Sequence, residues 1–144
     1  MPASAPRIPA PLLERVMQVL AGRSDTTAIR SVTRAPGGVE SSSVCLTTRQ
    51  SPYFLKWNAS TAQGAFCAEA KHLELLAATG AMRVPDVLAA FDGDPSCPHR
   101  FLLQEWLTPP SREVFARRVG RELGPAIAML HRAPAVGAIS LSRK

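Results

Sequence analysis

The chain has 144 residues, 46% hydrophobic and 19% charged, a balance that supports one packed domain, or a small lobe with an appendage, and argues against disorder throughout. Seventeen Lys and Arg against eleven Asp and Glu give +6, which suits phosphate-bearing partners; the basic residues are scattered singly or in pairs and are not interleaved with the few aromatics, so no nucleic-acid surface is expected. Cys45, Cys67 and Cys97, an odd count without CxxC spacing, argue against a disulfide framework or zinc site, and with no signal-peptide core and no apolar run long enough to span a membrane they predict a cytoplasmic protein with free thiols.

Residues 1–11 are rich in Pro and Ala and are expected to fray. Leu12, Leu13, Val16, Val19 and Leu20 then recur at helical spacing and Gly22 follows as a stop, which predicts a short amphipathic helix packed on a sheet. Residues 28–33 read as a strand, Pro36-Gly37-Gly38 as a turn, and 39–48 as a second strand carrying Ser41-Ser42-Ser43. After a turn at Gln50-Ser51-Pro52, Tyr53-Phe54-Leu55-Lys56-Trp57 is a third strand, so this portion reads as an antiparallel meander.

Phe66, Ala70, Leu73, Leu76 and Ala77 place a helix next, stopped by Gly80, with Ser60 or Thr61 as candidate caps. Residues 87–91 and 101–107 are the fourth and fifth strands, the latter ended by Pro109-Pro110. Residues 112–131 are helical, with Phe115, Val119, Leu123, Ile127 and Leu130 as apolar members; Gly120, Gly124 and Pro125 make two helices broken near Gly124 as good a reading as one.

Three strands, a helix, two strands and then helices form the order of a kinase small lobe. The fold class expected is α+β: a five-stranded antiparallel sheet with a packed helix over residues 1–107, followed by a connector and the first helix of a second lobe over 108–144. A phosphotransferase of this kind holds ATP phosphates with a strand lysine, and holds that lysine with a helix glutamate. Lys56 occupies the third strand, on the same face as Phe54; if that face meets the core, the ammonium needs a partner. Glu69, thirteen residues on, lies one helical turn from both Phe66 and Leu73 and borders the apolar face. Singly, the two read as a snorkelling lysine and a solvated glutamate; the strand order favours the pair.

Gly37 and Gly38 stand between strands one and two, where a loop would cover phosphates and the following serines would donate to phosphate oxygens. Most Gly-Gly pairs are plain hairpin turns, and neither GK[ST] nor GxGxxG is present. Glu105, Trp106 and Leu107 form the connector, whose backbone would meet an adenine ring while Leu103 or Trp106 packs on it; Trp106 also reads as an ordinary anchoring aromatic.

Arg34-Ala35-Pro36-Gly37-Gly38, Tyr53-Phe54-Leu55-Lys56-Trp57-Asn58, Phe66-Cys67-Ala68-Glu69-Ala70, Val84-Pro85, Phe101-Leu102-Leu103-Gln104-Glu105 and Leu130-His131-Arg132 resemble, in that order, the fructosamine kinase (ketosamine-3-kinase) family of the aminoglycoside-phosphotransferase-like branch of the protein-kinase fold. The resemblance implies ATP- and Mg2+-dependent phosphorylation of a sugar hydroxyl on a ketosamine or glycated protein, a step toward deglycation. It also implies that Lys56 contacts the α/β-phosphates, Glu69 orients Lys56, and Gly37 and Gly38 belong to the phosphate-covering loop.

The sequence departs from that family in lacking its His-Gly-Asp loop, the Asn that follows and the later magnesium-holding Asp: His72, His99 and His131 are none of them followed by Gly-Asp. The expectation is a member truncated before its catalytic loop, not an autonomous transferase, with no catalytic or metal-ligating residue of its own. The alternative is a non-catalytic nucleotide-binding or protein-interaction remnant; a small basic nucleic-acid binder is a third reading with little support. The apolar face of residues 112–131, deprived of a second lobe, would then be exposed and drive self-association.

Overall fold

The computed structural model describes residues 6–36, 41–60 and 62–133. Its elements in chain order are α1 (Ala10–Gly22), β1 (Ile29–Arg34), β2 (Ser42–Thr48), β3 (Pro52–Asn58), α2 (Ala65–Thr79), β4 (Val87–Phe91), β5 (Arg100–Glu105) and α3 (Arg112–Arg132). Helix α1 begins inside the stretch expected to fray, because Pro11 sits in its first turn, where a missing N–H costs nothing. The strands form one antiparallel sheet in the order β1-β2-β3-β5-β4. Placing β5 between β3 and β4 puts the last strand in the interior of the sheet, which explains why Phe101, Leu102 and Leu103 are all buried.

The chain divides into two compact units, one of Met1–Leu73 with Pro85–Leu107 and one of Glu74–Val84 with Thr108–Lys144. In the first, the sheet is apolar on both faces. Val44, Leu46, Leu55, Trp57, Phe101 and Leu103 meet Leu12, Val16 and Leu20 of α1 on one side. On the other, Leu102 meets Phe66 and Ala70 of α2, with Leu73, Val87 and Ala90 packed around them. The alternation along β3 decides which face holds the lysine: Leu55 and Trp57 turn to the large core under α1, and Phe54 and Lys56 turn to the α2 side, both half-buried.

Two polar devices fix the helices to this sheet. Asp25, at the end of α1, accepts from the Thr27 hydroxyl (2.6 Å), the Thr48 hydroxyl (2.6 Å) and the Tyr53 phenol (2.8 Å), tying the helix end to the β2–β3 hairpin. At the other end of the sheet Asp92 accepts from the Gly64 amide at 2.6 Å, pinning the chain just before α2. Gly64 has φ +79°, a left-handed conformation that suits glycine. Ser60 does not cap α2: it lies five residues before the helix and turns back to Asn58, whose Oδ1 accepts from the Ser60 amide at 2.7 Å. Thr61 lies outside the described residues.

In the second unit α3 is one continuous helix with Pro125 inside it, not two helices broken at Gly124. Proline removes one i→i−4 bond, and the good helix formers on both sides, Arg121, Glu122, Leu123 and Ala126 among them, carry the ladder past it. The Ser111 hydroxyl accepts from the Val114 amide and caps its start.

Candidate functional site

Lys56 Nζ lies 2.9 Å from Glu69 Oε2 and 3.3 Å from Oε1, so the structure brings the third-strand lysine and the α2 glutamate into one ion pair. The expectation is conditional: if the Phe54 face meets the core, Lys56 is drawn to it and needs a partner. The fully buried face belongs to Leu55 and Trp57, and Phe54 and Lys56 are half-buried on the opposite, α2 side. What holds the lysine is α2. Phe66, buried on that helix, presents its ring 5.5 Å from the ammonium, and Glu69 one turn later supplies the counter-charge. The Asp92–Gly64 bond sets where α2 begins, and so sets the height of Glu69 above the sheet.

Lys56 and Glu69 line a cleft of about 280 Å³ together with Pro36, Ser41, Ser43, Phe54 and Gln104. Cross-strand register explains the membership. Ser43 pairs with Lys56 and Phe54 with Gln104, so side chains of β2, β3 and β5 rise on one face. Gly37 and Gly38 lie outside the described residues; the flanking Pro36 and Ser41 both line the cleft.

Of the connector residues, Trp106 stacks on Phe54 with ring centroids 6.4 Å apart, which backs the aromatic wall of the cleft. Glu105 is tied down: its amide donates to Asp86 O at 2.8 Å and its Oε2 accepts from the Asp86 amide at 3.3 Å. Leu107 is exposed. Leu103, read as a possible cover for a ring, is fully buried on the α1 face and is on the wrong side of the sheet to reach a ligand in the cleft.

Sequence reasoning passed over Gln104. It lines the cleft, and its Oε1 is buried with no hydrogen-bond partner among the described residues. The signal was a polar residue in the apolar run Phe101-Leu102-Leu103, at a strand position facing the same way as Lys56.

A fixed ammonium, two serines and an aromatic wall suit a phosphate-bearing ligand with a flat ring. Among the described residues no three His, Cys, Asp or Glu side chains come together in a group that could hold a metal. Among the described residues no helix is long and apolar enough to cross a membrane.

The fructosamine kinase family model matches residues 12–139. A solved structure assigned as a fructosamine-3-kinase from Haemophilus somnus 129PT is similar at TM-score 0.64 and 27% identity, over 82% of this chain and 38% of that one. An aminoglycoside phosphotransferase assigned in Ralstonia eutropha JMP134 is similar at 0.53 and 17%, over 68% and 28%. A thermostable mutant of aminoglycoside phosphotransferase APH(4)-Ia, in ternary complex with ADP and hygromycin B, is similar at 0.59 and 12%, over 84% and 39%. The chain thus spans well under half the length of these proteins. No curated protein matches it.

Proposed function

This chain belongs to the fructosamine kinase family, and from that premise we propose that it forms the nucleotide-clamping part of an ATP-dependent phosphotransferase acting on a sugar hydroxyl of glycated amines. The observation that carries the reading is the Lys56–Glu69 ion pair at the floor of the cleft. In this reading Lys56 donates to the α/β-phosphates, Glu69 keeps the ammonium from swinging away, and Ser41 and Ser43, with the Gly37-Gly38 loop, cover the phosphates. Phe54, backed by Trp106, offers an apolar surface to the base, and backbone groups of residues 105–107 border it. ADP in the ternary complex of a similarly folded phosphotransferase supports a nucleotide here.

Transfer itself needs a group that takes the proton of the attacking hydroxyl, and magnesium to neutralise the phosphates. The sequence carries no His-Gly-Asp segment, and the described residues no metal-ligand group. In this reading the residues of this chain bind and orient the nucleotide. Free thiols at Cys45, Cys67 and Cys97 suit a reducing compartment and support a cytoplasmic setting.

A second reading, an interaction module, rests on α3. Phe115, Val119, Leu123 and Ile127 recur every four residues along it and are all exposed. Self-association through this face is the form that reading takes.

A thermal-shift titration with Mg-ATP tests the main proposal. Stabilisation of the wild type that is lost in Lys56→Ala supports the clamp; no shift in either protein refutes it.

A further inference from the structure

Lys56 stands on β3 and Glu69 on α2, and residues 59–64 are the chain that joins the two elements. The helix has little of its own to keep it in register with the strand. Phe66 and Ala70 are the residues it buries. Gly64, whose carbonyl accepts from the Ala68 amide at 2.8 Å, opens the helix without a side chain to cap it.

Both ends of this linker are clipped to the β4–β5 hairpin. Asp92 follows the last residue of β4 and Arg100 is the first of β5, and the two form a half-buried ion pair, Nε to Oδ1 3.4 Å. At the helix end of the linker, Asp92 Oδ1 accepts from the Gly64 amide at 2.6 Å. At the strand end, Arg100 Nη1 donates to the Ala59 carbonyl at 3.5 Å, beside Asn58, the residue that Arg100 faces on β3. Ala59 and Gly64 are thus held by two side chains that also hold each other. The Asp92 carboxylate lies at the start of α2, where the helix dipole favours negative charge, so the tether is electrostatic as well as a hydrogen bond.

The consequence reaches the cleft through the helix. A helix rises about 1.5 Å and turns about 100° per residue, so fixing Gly64 fixes both the height and the direction of Glu69. Resting on the nucleotide reading above, we infer that Asp92, steadied by Arg100, is a positioning residue for the clamp. It does not line the cleft. It acts through Gly64 and Glu69 on the Lys56 ammonium.

The test is a double-mutant cycle on Mg-ATP affinity, read by calorimetric titration of the wild type, Asp92→Ala, Glu69→Ala and the double variant. Asp92→Ala should weaken binding about three- to fivefold, and by no more than Glu69→Ala does, because it frees the glutamate without removing it. In the Glu69→Ala background the same change should alter affinity by less than about twofold, since the side chain it acts through is gone. An equal loss in both backgrounds is the mark of a general structural role and overturns the inference, as does an unchanged affinity in Asp92→Ala. Hydrogen exchange gives a readout without ligand. Amides at the start of α2 should exchange faster in Asp92→Ala while those of α1 keep the wild-type rate, and an α2 as protected as in the wild type overturns the tether. If alanine at this position unfolds the chain, Asp92→Asn, of the same size and without the charge, carries the same cycle with the same signs expected. Each of these negative results leaves the Lys56–Glu69 clamp standing. Failure of the wild type to bind Mg-ATP overturns the nucleotide reading as well.

Discussion

Lys56 Nζ reaches both carboxylate oxygens of Glu69, at 2.9 and 3.3 Å, across the gap between β3 and α2. The pair is partly open to water, with side chains 28% and 40% exposed. An ion pair so placed contributes only about 0–1 kcal/mol to stability. Lys56→Ala and Glu69→Gln should therefore unfold within a few degrees of the wild type. Their effect belongs to ligand binding. Losing a charged hydrogen bond to phosphate should cost Lys56→Ala about ten- to hundredfold in nucleotide affinity. Glu69→Gln should cost less, because the ammonium remains and only its orientation is released. Melting curves and nucleotide titrations on both variants check this; a large loss of stability with unchanged affinity would make the pair a structural one.

The sequence makes the lysine–glutamate pair visible because two periodicities meet at it. A strand of period two presents Lys56 beside Phe54, and a helix of period 3.6 presents Glu69 beside Phe66 and Leu73. Which sheet face is the main core was not visible, because β3 is apolar on both sides: Phe54 and Leu55 are both large and hydrophobic. Only the packing of α1 on Leu55 and Trp57 resolves it. Pro125 was equally ambiguous, since local propensity weakens a helix at that point without ending it. The Asp25 and Asp92 ties join residues 23 to 28 positions apart, and no local pattern announces them.

Asp25 gives a pH-dependent prediction. Burial alone would push its carboxyl up, but bonds from the Thr27, Thr48 and Tyr53 side chains and the Thr27 amide outweigh that and lower it from 3.8 to about 2. A carboxyl depressed on folding stabilises fully above its unfolded value and loses that contribution as pH falls through the folded one. The window is thus about pH 4 down to about 2, with about 2 kcal/mol at stake. Urea unfolding across that range should show a loss of stability that Asp25→Asn, already destabilised at neutral pH, largely lacks. An Asn variant with the same pH slope as the wild type would remove Asp25 as its source.

The two faces of β3 should respond differently to truncation. Leu55 is fully buried under α1, and Leu55→Ala should cost about 2–5 kcal/mol, the range for emptying a core position. Phe54 is half-buried at the cleft, so Phe54→Ala should cost less stability and instead release the Trp106 ring stacked on it. Denaturant midpoints for the pair, with tryptophan fluorescence read in the Phe54 variant, test the asymmetry. Equal losses would mean that the cleft face packs as tightly as the core.

The face of α3 gives the last prediction. Phe115 is 57% exposed, Leu123 48% and Ile127 40%, and Phe115, Val119 and Leu123 line an apolar groove with Met82 of about 240 Å³. Contiguous apolar side chains on one helix face favour association over solvation. The exposed Arg118–Glu122 pair borders the groove and is too weak, at i,i+4 spacing on the surface, to offset it. The protein should therefore grow in mass with concentration in light scattering. Phe115→Ser with Leu123→Ser should return it to a monomer while leaving the sheet unit and nucleotide binding unchanged. A sharp wild-type monomer peak at high concentration, with cooperative melting, would show that this face is tolerated in water and would sink the interaction reading.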